Sequence, residues 1–266
     1  MKNRMIKVGN VVPSLKVADV SYNTEQIKQA ILDHQDCSIL LFPELCISGY
    51  TCADLFAHDA LLEASKNALV DIASIVDQQL IVVGAALKYH NSLYNCAVYI
   101  SQGKIIGVVP KIYIPTYSEF YESRWFTSGK EIKDTHIQFG NDKVPFSKTL
   151  LVEDPQSGAV VGCDICEDLW VADKPSTHAC LAGANIIVNL SASDELIGKE
   201  DYRRSMVSQQ SSSCYCAYCY VSSGVDESST DLVFSGHSMI YENGKKLKDS
   251  IFMERTHVDS AIIDLD

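Results

Sequence analysis

The stretch Gly162-Cys-Asp-Ile-Cys-Glu-Asp-Leu-Trp170 organises the chain and carries its strongest chemical signal. The apolar run Gly158–Gly162 predicts a buried strand that leads into it, and a helical pattern follows over Pro175–Gly183. A cysteine at a sharp strand-to-helix turn presents its sulfur, and the N–H groups that open a helix lower the pKa of a nearby thiol. Cys166 is therefore a candidate nucleophile, and the alternative is a small buried residue without a chemical role.

Length and composition are those of a globular domain. The 266 residues are 47% hydrophobic and 21% charged, and no linker or internal repeat divides them, so one domain over 1–266 is predicted. The 34 acidic and 22 basic residues give a net charge of -12, which argues against nucleic acid or an anionic membrane surface as the main partner. No apolar run approaches the ~20 residues that span a bilayer.

The amino terminus and the cysteines predict a cytoplasmic protein. The first residues, Met1–Gly9, turn directly into a strand and do not have the pattern of a signal peptide. Ten cysteines without a secretion signal suggest reduced thiols and not a disulfide framework.

Apolar runs alternate with helical patterns in both halves of the chain. Buried strands are predicted at runs such as Ile6–Val12, Cys37–Phe42 and Leu80–Leu87. Helical spacing follows the first two of these runs. This alternation predicts an α/β fold in which helices cover the outer faces of sheets.

Turn and cap residues predict further local structure. Two hairpins are predicted around Gln102-Gly103 and Asn243-Gly244, because these dipeptides suit two-residue turns. Asn23 is predicted to cap the first helix, with Gln26 in the reciprocal position.

Three residues suited to acyl transfer each follow a predicted strand, where α/β folds place functional groups. They are Glu44, Lys111 and Cys166. The glutamate would take the thiol proton and later activate water, the lysine would hold the thiolate and the developing oxyanion, and the cysteine would form a thioester. Alone, Glu44 and Lys111 are typical of solvated surface residues, and only the combined set indicates this chemistry.

Five longer motifs surround these residues. They are Phe42-Pro-Glu-Leu-Cys-Ile-Ser-Gly-Tyr50, Lys111-Ile-Tyr-Ile-Pro-Thr-Tyr-Ser-Glu-Phe-Tyr-Glu-Ser-Arg124, Asp164-Ile-Cys-Glu-Asp-Leu-Trp170, Asn189-Leu-Ser-Ala-Ser193 and Ser228-Ser-Thr-Asp-Leu-Val-Phe-Ser-Gly236. In order and spacing they resemble the nitrilase, or carbon–nitrogen hydrolase, superfamily. Within it, they are similar to the amino-terminal glutaminase domain of glutamine-dependent NAD+ synthetases, and the resemblance covers nearly the whole chain.

The resemblance implies a four-layer α-β-β-α sandwich that hydrolyses L-glutamine to glutamate and ammonia. Glu44 would be the general base, Lys111 the catalytic lysine and Cys166 the nucleophile. Ammonia would leave first, and water would then split the glutamyl thioester. The backbone N–H of Glu167 would stabilise the oxyanion together with Lys111. No cofactor and no metal are expected in this domain.

The resemblance also implies a set of substrate-binding residues. Tyr117 aligns with a tyrosine that contacts the substrate, and Ser193 and a nearby basic residue would hold the amino-acid head group. That basic residue is commonly arginine in the family, but Lys199 stands here and offers a point charge where arginine offers a bidentate fork. The other residues predicted to bind the substrate are Tyr50, Glu167 and Trp170.

Two features of the long aromatic segment stay open at this stage. Either Glu119 or Glu122 would be a second glutamate that positions Lys111, and the sequence does not choose between them. The stretch Tyr113–Phe126 is a candidate interface, because oligomers are usual in the family, and a homo-oligomer is expected.

Family enzymes carry a second domain that uses the ammonia. That domain adenylates nicotinic acid adenine dinucleotide with ATP held by a pyrophosphate loop. The sequence Ser222-Ser-Gly-Val-Asp-Glu-Ser228 imitates such a loop, but a strand follows it where a phosphate loop opens a helix, so no ATP site is predicted. The expected partner is therefore an NAD+ synthetase domain, either removed from this chain or present as a separate subunit.

Cysteine spacing raises a zinc hypothesis, which we weigh against a packing role. The relevant cysteines are Cys163, Cys166, Cys214, Cys216 and Cys219. If Cys214 and Cys216 both lie in a helix, their side chains diverge by about 200° and do not share a metal. The pattern therefore favours cysteines as small apolar filler.

Two rival functions remain at the level of sequence. The first is a stand-alone amidase of the same superfamily that acts on another small amide, because a triad alone does not set specificity. The second is a regulatory or ammonia-delivering subunit that is active only when docked on a synthetase.

Overall fold

The apolar runs of the sequence become strands in the computed structural model, which describes residues 4–155, 157–253 and 256–266. The first three residues of the amino-terminal stretch interpreted above lie outside the described residues. The strands in chain order are β1 (Met5–Val12), β2 (Ile39–Leu41), β3 (Leu80–Tyr89), β4 (Ser92–Ser101), β5 (Lys104–Pro110), β6 (Thr116–Tyr117), β7 (Phe120–Tyr121), β8 (Thr135–Phe139), β9 (Asp142–Phe146), β10 (Val152–Asp154), β11 (Ala159–Ile165), β12 (Ile186–Ser191), β13 (Ala217–Ser222), β14 (Ser238–Glu242), β15 (Lys245–Ser250) and β16 (His257–Asp264).

Helices occupy the connections between the parallel strands. The α-helices of the described residues are α1 (Val20–Asp33), α2 (Asp59–Ile75), α3 (Pro175–Leu181) and α4 (Lys199–Cys214). Short 3-10 segments lie at Tyr50–Ala57, Glu122–Arg124, Gly129–Glu131, Cys166–Leu169 and Val225–Glu227. In the described part of the chain, no helix combines the length and the apolar character needed to cross a membrane.

The strands form two main sheets. The larger sheet has the order β16-β1-β2-β3-β4-β5-β9-β8, and the smaller has the order β10-β11-β12-β13-β14-β15. The strands β1, β2 and β3 run parallel, as do β11, β12 and β13. Because β4 pairs antiparallel with both β3 and β5, the strands β2 and β5 end at the same edge of the larger sheet.

Buried side chains pack the molecule in the order helix, sheet, sheet, helix. The larger sheet covers α1 and α2 through a cluster that includes Ile27, Leu69 and Val83. Its other face packs on the smaller sheet, and α3 and α4 pack on the far face of that sheet. This mixed α/β architecture confirms the predicted fold class.

The first helix begins earlier than the sequence predicted. Asp19 is the N-cap, and its carboxylate accepts a hydrogen bond from the Tyr22 backbone N–H at 3.0 Å. The prediction of Asn23 as cap was therefore wrong. Asn23 is buried inside α1, where its side-chain amide donates to the carbonyl oxygens of Lys16 and Ile47 at 2.9 and 3.1 Å. Its polar side chain ties the helix to a loop and does not start the helix.

Both predicted hairpins are confirmed. Gln102 and Gly103 join β4 to β5 with φ angles of 50° and 73°, and Asn243 and Gly244 join β14 to β15 with φ angles of 49° and 81°. Positive φ at both central residues is the backbone that such two-residue turns require.

The cysteines near the end of α4 do not share one helix, as the zinc argument had assumed. Cys214 is the last residue of α4, Tyr215 turns the chain with a φ of 50°, and Cys216 is buried directly before β13. Within residues 4–155, 157–253 and 256–266, no group of three His, Cys, Asp or Glu side chains is arranged to hold a metal ion.

Candidate active site

Three strand ends bring the predicted triad together. Glu44 follows β2, Lys111 follows β5 and Cys166 follows β11. The chain turns sharply at two of these points, with φ angles of 52° at Leu45 and 44° at Cys166. A non-glycine residue holds such a backbone only when its surroundings enforce it, and strained positions of this kind cluster at active sites.

A buried lysine joins two carboxylates at the centre of the site. The Lys111 Nζ donates to Glu44 Oε1 at 2.6 Å and to Glu122 Oε1 at 2.7 Å, and all three side chains are buried. The second glutamate is thus Glu122. Glu119 is half-buried and lines a small cavity of about 180 Å³.

Burial controls the charge of this cluster. It raises the pKa of Glu44 to about 7, although the Lys111 charge opposes the rise. Burial alone would lower the pKa of the Lys111 ammonium, but the charges of Glu122 and Glu44 hold it well above its usual value. Lys111 is therefore a permanent cation, and Glu44 is poised to exchange a proton near neutral pH.

Cys166 rests as a thiol. Burial raises the pKa of its thiol, the Glu44 charge adds to the rise, and Lys111 and the Ala192 backbone N–H oppose it. The sequence predicted a pKa lowered by a helix N-terminus. That prediction was wrong because only a four-residue 3-10 turn, Cys166–Leu169, follows the cysteine, and α3 begins at Pro175. The nucleophile therefore needs a base to remove its proton.

Glu44 has one oxygen free for this task. Its Oε1 accepts from Lys111 and also from Asn95 Nδ2 at 2.6 Å, whereas its Oε2 is buried with no hydrogen-bond partner among the described residues. A buried, unpaired carboxylate oxygen is costly and is typical of a functional group. The sequence reasoning missed Asn95, although it is the one amide side chain within the apolar run of β4.

Side chains of opposite charge lie beside the triad. Glu167, next to the cysteine, is half-buried and accepts from the Tyr117 hydroxyl at 2.9 Å. The Lys199 Nζ lies 5.4 Å from the centre of the Trp170 ring and pairs with Asp194. A second ring, Phe120, lies 5.5 Å from the same ammonium. The charge of Lys199 acts on Glu167, the residue after the nucleophile, and each of the two groups already has a partner.

Arg203 supports this region and was missed by the sequence reasoning. It is fully buried on α4, one helical turn after Lys199. Its guanidinium donates to Ser193 Oγ at 3.4 Å, to the Asp194 carbonyl at 3.1 Å and to Glu195 Oε2 at 3.0 Å. The spacing of four residues from Lys199 is the signal that could have found it. Arg203 holds in place the segment that carries Ser193.

Tyr50 contacts the second glutamate of the cluster. It is buried, and its hydroxyl donates to Glu122 Oε1 at 2.7 Å. It lines the cavity of about 180 Å³ together with Glu122 and Phe120. Its predicted contact with substrate stays a prediction.

A wider apolar cavity lies nearby but contains none of the triad. It has a volume of about 370 Å³ and is lined by residues that include Ile112, Tyr113, Leu150 and Ala179. The buried cluster, and not this cavity, contains the base, the cation and the thiol that the predicted reaction needs.

A family profile matches most of the chain. The profile described as carbon-nitrogen hydrolase covers residues 7–251. The chain belongs to the carbon–nitrogen hydrolase family. The predicted superfamily is therefore confirmed.

Relatives of this carbon–nitrogen hydrolase include larger enzymes. It is 42% identical over 221 residues to the glutamine-dependent NAD(+) synthetase of Mycobacterium tuberculosis, a match that covers 82% of this chain and 32% of that protein. The crystal structure of a glutamine-dependent NAD(+) synthetase from Cytophaga hutchinsonii matches with a TM-score of 0.88 and 26% identity, over 97% of this chain and 43% of that one. The chain thus spans about a third of the length of the curated relatives it matches.

An amidase shares the fold at lower identity. The crystal structure of an amidase from Nesterenkonia sp. matches with a TM-score of 0.79 and 14% identity, over 100% of this chain and 92% of the amidase. At this identity, the likeness of the carbon–nitrogen hydrolase to the amidase concerns the fold alone.

Proposed function

We propose that this carbon–nitrogen hydrolase releases ammonia from L-glutamine and supplies it to an NAD+ synthetase domain or subunit. The observation that carries the proposal is the buried Lys111 ammonium, 2.6 Å from Glu44 and 2.7 Å from Glu122, in electrostatic contact with Cys166. The synthetase would use the ammonia in the ATP-dependent conversion of nicotinic acid adenine dinucleotide to NAD+.

The reaction begins at the thiol. Glu44 Oε2 takes the Cys166 proton as the sulfur attacks the amide carbon of glutamine, and Lys111 with the Glu167 backbone N–H stabilises the oxyanion. The protonated Glu44 then gives its proton to the leaving nitrogen, and ammonia departs with formation of a glutamyl thioester. Glu44 next deprotonates water, which attacks the thioester and releases glutamate and the free thiol.

The opposite charges of Glu167 and Lys199 support an amino-acid amide as substrate. Glutamine carries an ammonium and a carboxylate on its α-carbon, and Glu167 and Lys199 offer one charge of each sign. Tyr50, Tyr117, Trp170 and Ser193 complete the predicted recognition set. The 42% identity to the synthetase of M. tuberculosis favours glutamine over other amides.

The proposal extends to the organisation of the protein. Residues 1–266 form one glutaminase domain that requires no cofactor of its own. The ten free cysteines support a reducing cytoplasm. Half-exposed Tyr117 and Tyr121 support a role for their segment in a homo-oligomer or in docking the synthetase.

The test is release of ammonia and glutamate from L-glutamine, with and without an added synthetase. We expect Cys166→Ala to reduce turnover to below about one-thousandth of the wild-type rate, because no other group forms the thioester. Cys163→Ala, on β11 just before Cys166 and outside the triad, is the matched control and should retain turnover.

The outcomes separate the rival functions. Wild-type protein that hydrolyses acetamide or butyramide faster than glutamine would replace the glutaminase with a stand-alone amidase. Activity that appears only with the synthetase would identify a docked subunit. No glutamine turnover under either condition would reject glutamine as the substrate.

A further inference from the structure

Glu227 is a buried carboxylate that the reaction described above does not use. It lies in Ser222–Ser228, the motif that imitates a phosphate loop, and ends the 3-10 turn Val225–Glu227. Its side chain is fully buried. Its Oε2 accepts from the Tyr50 backbone N–H at 2.6 Å, and its carbonyl oxygen accepts from Thr51 Oγ1 at 3.1 Å. The motif thus binds and fixes the loop at Tyr50 and Thr51, which is far away in the sequence. We call this pair of contacts the Glu227 clamp.

Tyr50 connects this clamp to the catalytic cluster. The Tyr50 hydroxyl donates to Glu122 Oε1 at 2.7 Å, and the same oxygen accepts from Lys111 Nζ at 2.7 Å. The ring of Tyr50 packs edge-on against Phe234, with ring centres 5.9 Å apart. The hydrogen bond from the Tyr50 backbone N–H to the Glu227 carboxylate and this ring contact together define the position of the hydroxyl.

The clamped loop depends on a close approach. Gly49 has a φ of 86°, and a Cβ at this position would lie 3.3 Å from Glu227 Oε2. The carboxylate therefore sits directly against the backbone that it holds. Glycine provides the conformation and the space.

A residue that only filled space would not need a polar side chain here. Glu227 Oε1 is buried without a hydrogen-bond partner among the described residues, and burial raises the pKa of this group to about 7. An apolar side chain would fill the same space at a lower desolvation cost, but it would leave the Tyr50 backbone N–H without this acceptor. Buried groups held at such a cost next to a reactive centre point to a functional role.

We propose that Glu227 is a positioning residue for the hydrolase reaction, acting through Tyr50 and Glu122 to place the Lys111 ammonium. The proposal rests on the proposed function only in requiring acyl chemistry at Cys166. The motif Ser222–Ser228 would thus hold the backbone of Tyr50 in place, and the Tyr50 hydroxyl would in turn hold Glu122 against Lys111.

The experiment measures kcat and KM for glutamine in Glu227→Ala, Glu227→Gln and Tyr50→Phe. We expect kcat to fall about 10- to 100-fold in Glu227→Ala and Tyr50→Phe with KM within about threefold of wild type, because misplacing a catalytic group by about 1 Å costs up to 10²-fold in rate. Glu227→Gln keeps an oxygen for the Tyr50 N–H and should retain most of the kcat. The exposed neighbour Asp226→Asn is the matched control.

A double variant tests whether the two residues act along one path. Glu227→Ala combined with Tyr50→Phe should be no slower than the slower single variant, because each removes the same support. Multiplied losses in the double variant, or a raised KM with unchanged kcat in Tyr50→Phe, would overturn the proposal. If Glu227→Ala fails to fold, Glu227→Leu, which fills the space but offers no acceptor to the Tyr50 N–H, takes its place in the comparison.

A second readout separates this proposal from the proposed function. The rate at which iodoacetamide alkylates Cys166, followed by mass spectrometry, depends on the local cluster and not on glutamine. Slower alkylation in Glu227→Ala and Tyr50→Phe supports the positioning role even if wild-type protein does not hydrolyse glutamine. Wild-type alkylation rates in both variants, with unchanged kcat, would reject it.

Discussion

At the scale of the residue, the site depends on one carboxylate, Glu44, whose two oxygens differ in their hydrogen bonds. Glu44 Oε1 is held by Lys111 and Asn95, and Oε2 is left without a partner among the described residues. The first oxygen fixes the orientation of the carboxylate, and the second remains available to accept a proton. Because burial raises the pKa of Glu44 to about 7, the group can both take and return a proton at neutral pH.

This pKa predicts the pH dependence of hydrolysis. Glu44 acts as a base only when ionised. We therefore expect kcat/KM to be low below about pH 7, where Glu44 is protonated, and to rise as the pH passes through about 7. The measurement is a pH–rate profile for glutamine from about pH 5.5 to 8.5.

An amide variant checks the origin of this pH dependence. The Asn95 hydrogen bond favours the ionised form of Glu44, so Asn95→Ala should move the midpoint to higher pH. A profile that is flat across this range, or a midpoint that moves to lower pH in Asn95→Ala, would contradict the assignment of Glu44 as the base.

At the scale of the element, the loop after β2 is placed by a glycine in β3. The backbone of Pro43–Leu45 lies against Gly84, where a Cβ would come within 2.2 Å of the Leu45 nitrogen and 2.5 Å of the Pro43 carbonyl oxygen. Real Cβ atoms do not approach backbone so closely. The strand therefore needs glycine at this position so that the backbone of Glu44 can lie against β3 and its carboxylate can contact Lys111.

Gly84→Ala should damage both stability and activity. The added methyl group pushes the Glu44 backbone away from β3, and we expect a loss of about 1–3 kcal/mol in unfolding free energy together with a lower kcat. Thermal denaturation and glutamine turnover measure the two effects.

The matched control is Gly107→Ala in β5 of the same sheet. A Cβ there meets only the end of the Leu150 side chain, which can move. Equal losses of activity in the two variants would show that the close approach at Gly84 has no special importance.

At the scale of the whole molecule, Asn10 joins the two sheets. It is fully buried on β1 of the larger sheet, and its Nδ2 donates to the carbonyl oxygens of Tyr220 and Met239 in the smaller sheet, both at 2.9 Å. The triad draws Glu44 and Lys111 from one sheet and Cys166 from the other. A polar contact that fixes the register of the sheets therefore also maintains the site.

Removing this contact should destabilise the protein. Asn10→Ala leaves two buried carbonyl groups without this donor, and we expect about 2–4 kcal/mol of lost stability and a midpoint of thermal unfolding several degrees lower. Asn67→Ala, at an exposed position of α2, is the control and should unfold at nearly the wild-type temperature. An unchanged midpoint in Asn10→Ala would mean that apolar packing alone aligns the sheets.

The sequence by itself determined the family, the triad as a prediction, and the two-residue hairpin turns. These depend on short motifs or on local φ preferences, as at Asn243-Gly244, and such signals lie within a few neighbouring residues. The start of α1 was harder to predict because Asp19 and Asn23 are both suitable caps, and only the packing of Asn23 into a loop separates them.

Only the tertiary structure decided which groups share a buried environment. It selected Glu122 over Glu119 as the partner of Lys111, raised the pKa of Cys166 where a helix N-terminus had been expected to lower it, and joined Glu227 to Tyr50. These properties depend on desolvation and on contacts between residues distant in the chain. Burial strengthens electrostatic interactions and removes water from charged groups, and neither effect can be read from neighbouring residues in the sequence.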